Sequence, residues 1–353
     1  MKTSMDALIS PRRRSFVTAL GAASLLAACG DTRPRAGAAA FGGNAMGSTW
    51  TVKLAGPVDE ALAARAQDAV REALAVVEAR MSTWLADSEL SRFNRHASTA
   101  PFGFSADTYA VVTLAQRVAR ETRGAFDATV APAVDAWGFG PGRAHRIVAD
   151  EERSHLVQRI GHARLALDDA TRSAAKAHPG LALDFSGIAK GHAVDRAAGA
   201  LEDLGLERYM VEAGGEVRTR GHNAEGVPWR IGIELPDAVP SRPHFVVPLA
   251  GLSLATSGDY RIYFERDGRR FSHEIDPASG APVDNALASA SVAAPGCAYA
   301  DAMATALMVM GPERAHAFAT EHGIAAYFIV RDGAALVPSA SPAFARLGGT
   351  RLA

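Results

Sequence analysis

Tyr299-Ala300-Asp301-Ala302-Met303-Ala304-Thr305-Ala306-Leu307-Met308-Val309-Met310-Gly311 reads as a helix over Ala300–Met310 that is almost wholly apolar and small. Two oxygen-bearing side chains, Asp301 and Thr305, interrupt it. Residues four apart share a helix face, so the two oxygens lie side by side. A carboxylate in so apolar a setting needs a partner, because an unpaired buried charge is costly. A hard cation such as Mg²⁺ would serve, since it takes oxygen ligands. The competing reading makes Asp301 a favourable charge near a helix N-terminus, with Thr305 bonding back to a carbonyl.

Around this segment the pattern is mixed. Leu62, Ala66, Val70, Leu74, Val77 and Met81 form a helical stripe over 58–81. Further helices are predicted at 105–123, with Ser105 as N-cap and Gly124 as stop, at 188–204, and at 312–322. Strands are predicted at 48–54, 216–221, 229–234 and 324–330. Segments 261–265 and 271–275 flank Asp267-Gly268, a hairpin signal. Neighbouring strands joined as hairpins, with helices inserted between them, predict an α+β fold with largely antiparallel sheets.

The first residues read as targeting rather than fold. Arg12-Arg13-Arg14-Ser15-Phe16 is a charged region before a short apolar run, Val17 to Ala28, that ends in Leu26-Ala27-Ala28-Cys29. This predicts an export signal over 1–28, similar to twin-arginine signals, with a lipobox that makes Cys29 the lipidated N-terminus. Residues 29–43, rich in Gly, Ala, Pro and Arg, predict a flexible tether to the membrane. Residues 44–353 would form the working domain, with 162–179 its softest internal joint. Cys297 is then the only other cysteine, and its small apolar neighbours predict a buried, inert thiol. A formal net charge of −1, without a basic patch interleaved with aromatics, argues against nucleic acid as partner.

Other runs carry chemistry-bearing residues. In Asp184-Phe185-Ser186-Gly187-Ile188-Ala189-Lys190-Gly191 a strand end turns into a helix. A helix N-terminus attracts phosphate. Lys190 in the first turn opposes the dipole, which makes more sense if an anion is bound there. An ordinary strand–turn–helix with Asp184 as cap is the alternative. His273-Glu274-Ile275-Asp276-Pro277 places a histidine near a strand end, where it could take a proton near neutral pH. Asp284 is a weaker candidate base. Trp84, in Met81-Ser82-Thr83-Trp84, is either core or a plate for a flat ring.

These runs, together with Met46-Gly47-Ser48-Thr49, Asp87-Ser88-Glu89-Leu90-Ser91-Arg92-Phe93-Asn94, Gly124-Ala125-Phe126-Asp127, Trp137-Gly138-Phe139-Gly140, Glu212-Ala213-Gly214-Gly215-Glu216 and Ala255-Thr256-Ser257-Gly258-Asp259-Tyr260, occur in one order from Met46 to Gly311. In that order they resemble the ApbE-like family, the FAD:protein FMN transferases, whose architecture is related to the T-fold. The resemblance implies a Mg²⁺ site at Asp301, Thr305 and the Gly187 carbonyl. It implies FAD contacts at Met46, Trp84, Ala125, Phe126, Asp127, Asp184, Lys190 and Ile275. Family members often carry Tyr where this chain has Trp84; a smaller polar residue there is associated with FAD hydrolysis.

The implied reaction is Mg²⁺-dependent transfer of FMN from FAD to a Thr or Ser hydroxyl of an acceptor protein, with release of AMP. Lys190 would stabilise phosphate charge and His273 would be the base. The implied acceptors are subunits of sodium-pumping NADH:quinone reductase or related membrane electron-transfer complexes, met on the periplasmic side. Two rivals stand beside it: a Mg²⁺-dependent FAD pyrophosphatase, and an exported flavin-binding lipoprotein without catalysis.

Overall fold

The computed structural model describes residues 38–236 and 242–352. The expected export signal, Cys29 and the first part of the tether lie outside them. An eight-stranded antiparallel sheet dominates, and its strands lie side by side in chain order. They are Ala38–Ala45, Ser48–Ala55, Tyr209–Ala213, Glu216–Arg220, Ser253–Gly258, Leu287–Ala294, Ala325–Asp332 and Ala335–Ala340. The helices arrive as insertions. Glu60–Met81, Ala106–Glu121 and Ala189–Asp203 fall between the second and third strands; Cys297–Met310 and Pro312–Glu321 fall between the sixth and seventh. The expected α+β class is therefore observed.

Both faces of the sheet are covered. The larger core joins one face to the Glu60–Met81, Ala189–Asp203 and Cys297–Met310 helices. A three-stranded sheet, Thr350–Arg351, Pro243–Leu249 and Trp229–Glu234, supplies Trp229, Ile231, Ile233, Val247 and Leu249 to a second core that includes Val217, Leu254, Ala293 and Tyr327. A third, smaller core ties Trp137, Leu156 and Ile160 to Phe271 and Ile275. No helix among the described residues is long and apolar enough to cross a membrane.

The expected tether needs correction. Residues 38–43 belong to the first strand, paired with Ser48–Ala55 from Ala38↔Ala55 to Ala45↔Ser48. Met46 and Gly47 form the two-residue turn, both at positive φ (53° and 71°), as a hairpin of this hand requires. The glycines are there for contact rather than for slack. A Cβ on Gly42 would lie 2.5 Å from the Trp50 carbonyl oxygen, and one on Gly43 would meet the Trp50 ring at 3.0 Å. The expected joint at 162–179 is also corrected. The described residues fall in one unit, Arg35–Ala353, and within that stretch Leu165–Asp168 pairs with Ser173–Lys176.

Candidate active site

The Cys297–Met310 helix begins three residues earlier than expected and lies in the core, with Asp301 only 3% exposed. Its first N–H groups find no cap on their own helix. Asp195, on the Ala189–Asp203 helix, accepts from Cys297 N and Ala298 N, both at 2.9 Å. Arg218 in turn pairs with Asp195 at 2.6 Å. The two helices touch where Gly191 has no side chain: a Cβ there would lie 2.4 Å from the Cys297 carbonyl oxygen. At the same point Gly191 N donates to Asp301 Oδ2 at 2.9 Å. Asp301 is thus a link between two helices, not a charge at its own helix terminus.

Thr305 makes no back-bond to a carbonyl among the described residues; its Oγ1 lies 3.1 Å from Ser257 Oγ. A Cβ on Gly187 would come within 2.7 Å of Thr305 Oγ1. Glycine therefore lets the Asp184–Gly187 turn reach the helix. Lys190 Nζ bonds Glu216 Oε1 at 2.6 Å. The anion that Lys190 called for at a helix start is in part supplied by the protein itself. Burial works against the lysine charge, but Glu216 and Asp301 outweigh it, and its pKa rises above the ordinary value. Burial raises the carboxyl groups of Glu216 and Asp301 as well. Glu216 Oε2 is buried without a hydrogen-bond partner.

That oxygen-only group answers the requirements of a Mg²⁺ ion. It offers the buried Asp301 carboxylate, the Thr305 hydroxyl and the neighbouring Gly187 backbone, beside an orphaned Glu216 oxygen. A hard cation accepts this donor type, and Mg²⁺ needs few protein ligands when phosphate and water complete its shell.

These residues line a cleft of roughly 450 Å³, within the usual range for small-molecule sites. Ala125, Phe126, Asp127, Asp184, Gly187, Lys190, His273, Ile275, Asp301 and Thr305 all line it. Met46 and Trp84, expected beside them, do not. Met46 sits at the tip of the first hairpin, and Trp84 is 69% exposed in the turn after the Glu60–Met81 helix. Asp284 is also displaced as a candidate base: it lies on the surface, paired with Arg269, and does not line the cleft.

His273 follows the Arg269–Ser272 strand of a two-stranded ribbon that includes the expected Asp267-Gly268 turn. Its Nδ1 lies 3.0 Å from the Ile262 carbonyl oxygen, which can only accept, so Nδ1 carries the proton and Nε2 is the lone-pair nitrogen. Burial lowers its pKa to about 4, so it is neutral at neutral pH. Asp127 reaches the cleft with its carboxylate already engaged. Oδ1 accepts from Thr129 N and Oγ1, and Oδ2 from His162 N at 2.7 Å. Asp184 Oδ1 accepts from Ser186 N at 2.7 Å, which shapes the turn before Gly187. Cys297 is fully buried and its thiol is pushed well above its usual range, as expected of an inert thiol.

The sequence runs above hold Glu216, Ser257 and Glu274 without assigning them roles, and Asp195 lies just beyond one of them. Asp195 and Glu216 act across 102 and 26 residues of chain, and no local pattern announces such pairings. Glu274 was visible only as a carboxylate beside His273. Burial, with Asp259 adding to it, raises its carboxyl to about 8.

The model of the ApbE family matches residues 46–328. The chain is 39% identical to a FAD:protein FMN transferase of Haemophilus influenzae, over 96% of this chain and 98% of that one. It is 41% identical to the Vibrio cholerae FAD:protein FMN transferase, over 94% and 98%. Among solved structures, the flavin transferase ApbE from Vibrio cholerae superposes with a TM-score of 0.79 at 39% identity, covering 88% of this chain and 99% of that one. The apo flavinyl transferase ApbE of Pseudomonas stutzeri gives 0.79 and 39%, over 88% and 96%. The chain belongs to the ApbE family.

Proposed function

We propose that this chain transfers the FMN moiety of FAD to a Ser or Thr hydroxyl of an acceptor protein and releases AMP. The observation that carries the reading is the meeting, in the lining of one cleft, of the Asp301–Thr305–Gly187 group with Lys190 and His273. The names of the relatives support it. The acceptor oxygen forms a bond to the FMN-side phosphorus, the bond from that phosphorus to the bridging oxygen breaks, and AMP leaves with that oxygen. The hydroxyl proton passes to His273 Nε2. Phosphoryl transfer depends mostly on positioning and electrostatics.

Asp301, Thr305 and the Gly187 carbonyl would hold Mg²⁺, which when bound neutralises charge on the pyrophosphate. Lys190, held by Glu216, adds a fixed positive charge beside it. Neutral His273 is oriented by the Ile262 carbonyl, which leaves Nε2 to accept. The same residues would serve a FAD pyrophosphatase with water as acceptor, and the products separate the two. Transfer consumes one FAD and releases one AMP per labelled acceptor, with no free FMN. A one-to-one yield of free FMN and AMP in the presence of a competent acceptor would favour hydrolysis.

The place of action belongs to the same proposal. Export through residues 1–28 and lipidation of Cys29 would hold the domain at the periplasmic face of a membrane. Acceptor subunits of sodium-pumping NADH:quinone reductase or related complexes would be met there. Intact mass of the chain from membranes tests this: a diacylglyceryl adduct on Cys29 is expected, and an unmodified chain starting at Met1 would contradict it.

A further inference from the structure

Asn94 closes the run 87–94 yet does not line the cleft. Its carboxamide grips a residue of the chain that leads into the Gly187 turn. Nδ2 donates to the Leu183 carbonyl at 2.8 Å, and Leu183 N donates to Oδ1 at 2.8 Å. From one side chain the two bonds supply the pairing that a neighbouring strand would give. Leu183 needs it: the residue is buried, lies in no strand, and its N–H and carbonyl have no backbone partner among the described residues. Buried backbone groups left unpaired are costly. Asn94 is itself held at both ends of its helix, Glu89–Arg95. At the start, Ser88 Oγ accepts from Ser91 N and donates to the Ser82 carbonyl at 2.7 Å. At the end, Lys176 Nζ donates to the carbonyls of Asn94 and His96 at 3.3 and 3.0 Å. Lys176 is buried and pairs with no carboxylate among the described residues, so its charge is directed at that helix end, where a cation is favoured.

From Leu183 the chain soon reaches Gly187. On the way Asp184 N is fixed on the Ala128 carbonyl at 2.7 Å, and Ser186 N on Asp184 Oδ1 at 2.7 Å. Clearance at the far end is small, since a Cβ on Gly187 would lie 2.7 Å from Thr305 Oγ1. A turn that passes so close to the helix has its depth set by its anchors, and Asn94 holds the first of them. Resting on the flavin-transfer reading and its Mg²⁺ site, we propose that Asn94 is a positioning residue: its carboxamide sets the depth at which the Gly187 backbone is presented beside Asp301 and Thr305, and so tunes the cation affinity of that group. Removing a group that orients a metal ligand typically lowers metal affinity by about 10- to 100-fold.

The test uses the full-length chain with Mn²⁺ as the probe ion. Mn²⁺ binding is read by electron paramagnetic resonance, FAD binding in EDTA by flavin fluorescence, and folding by urea titration. Turnover is read as AMP release and as FMN adducts on an acceptor protein. Asn94→Ala is expected to weaken Mn²⁺ binding about tenfold, with FAD affinity within about threefold of wild type. Asn94→Asp keeps the acceptor for Leu183 N but loses the donor to the Leu183 carbonyl. Its Mn²⁺ affinity is expected to fall between those of wild type and Asn94→Ala, and it decides alone if the alanine variant does not fold. Unchanged Mn²⁺ affinity in a folded variant would overturn the proposal. So would equal losses of Mn²⁺ and FAD binding, which a merely structural bond would give, and so would a wild type that binds no Mn²⁺. AMP release without an adduct would instead remove the transfer reading, and the Mn²⁺ comparison would still decide the role of Asn94.

Discussion

The floor of the cleft and its rim are built on opposite principles. The floor is two helices locked together: Asp195 caps the neighbouring helix, Gly191 lets the backbones approach, and Asp301 bonds across the seam. Its polar groups are buried, and their charges are perturbed by that burial. The rim carries exposed side chains such as Ile262, and the two-stranded ribbon 263–272 stands outside the main sheet. The groups proposed to act on phosphate are fixed in advance on rigid elements. Preorganisation of this kind is where electrostatic stabilisation gains most.

The sharpest way to break that contrast is Asp301→Ala. Removing the only carboxylate among the expected metal ligands should lower single-turnover transfer by about 10³-fold. Thermal stability should fall modestly, because the buried Gly191 N–H loses its acceptor while a carboxylate that is costly to bury is removed. Unchanged transfer would remove the metal assignment.

Asp195→Ala attacks the seam instead of the ligand. It leaves two helix N–H groups and Arg218 without their acceptor, and should cost about 2–4 kcal/mol in urea unfolding. The Mg²⁺ concentration needed for half-maximal transfer should rise with it. Full stability with normal Mg²⁺ dependence would show that the helices are held elsewhere.

His273→Ala should reduce transfer by about 10²-fold, less than Asp301→Ala. The sign of the pH effect is fixed by its lowered pKa. The base must be neutral, and a pKa of about 4 means protonation only in strong acid. Rate should climb through pH 4 and stay level from 6 to 8, without the limb near 6.5 of an ordinary histidine. In the variant the acid limb should vanish. A limb near 6.5 in wild type, lost in His273→Ala, would mean that the ring is solvated when substrate binds.

Trp84→Ser probes an exposed side chain away from the cleft and should do least. The side chain is exposed and outside the cleft, so stability should stay within about 0.5 kcal/mol. Transfer should change only a few-fold. A switch of products to free FMN and AMP would show instead that this exposed ring decides between acceptor and water.

Much of the floor was legible because its signals are local. Asp301 and Thr305 are four residues apart in an apolar run, and Gly187 and Lys190 open a helix after a strand. Caps also read well: Ser105 accepts from Thr108 N as expected. The sheet was harder. Leu287–Ala294 is buried at every position because both faces of the sheet are covered, so it shows no alternation and was not predicted. The first strand was taken for tether because its glycines, which make room for Trp50, look like linker composition. Trp84 was placed at the flavin by resemblance alone, and nothing in its neighbours could have shown that its side chain lies open to solvent.

The central claim is most directly tested by intact-mass analysis of an acceptor protein incubated with the full-length chain, FAD and Mg²⁺. The account predicts one FMN added to an acceptor Ser or Thr by the wild type, abolished by EDTA and by Asp301→Ala. An adduct that forms equally well in EDTA, or with Asp301→Ala, would contradict it.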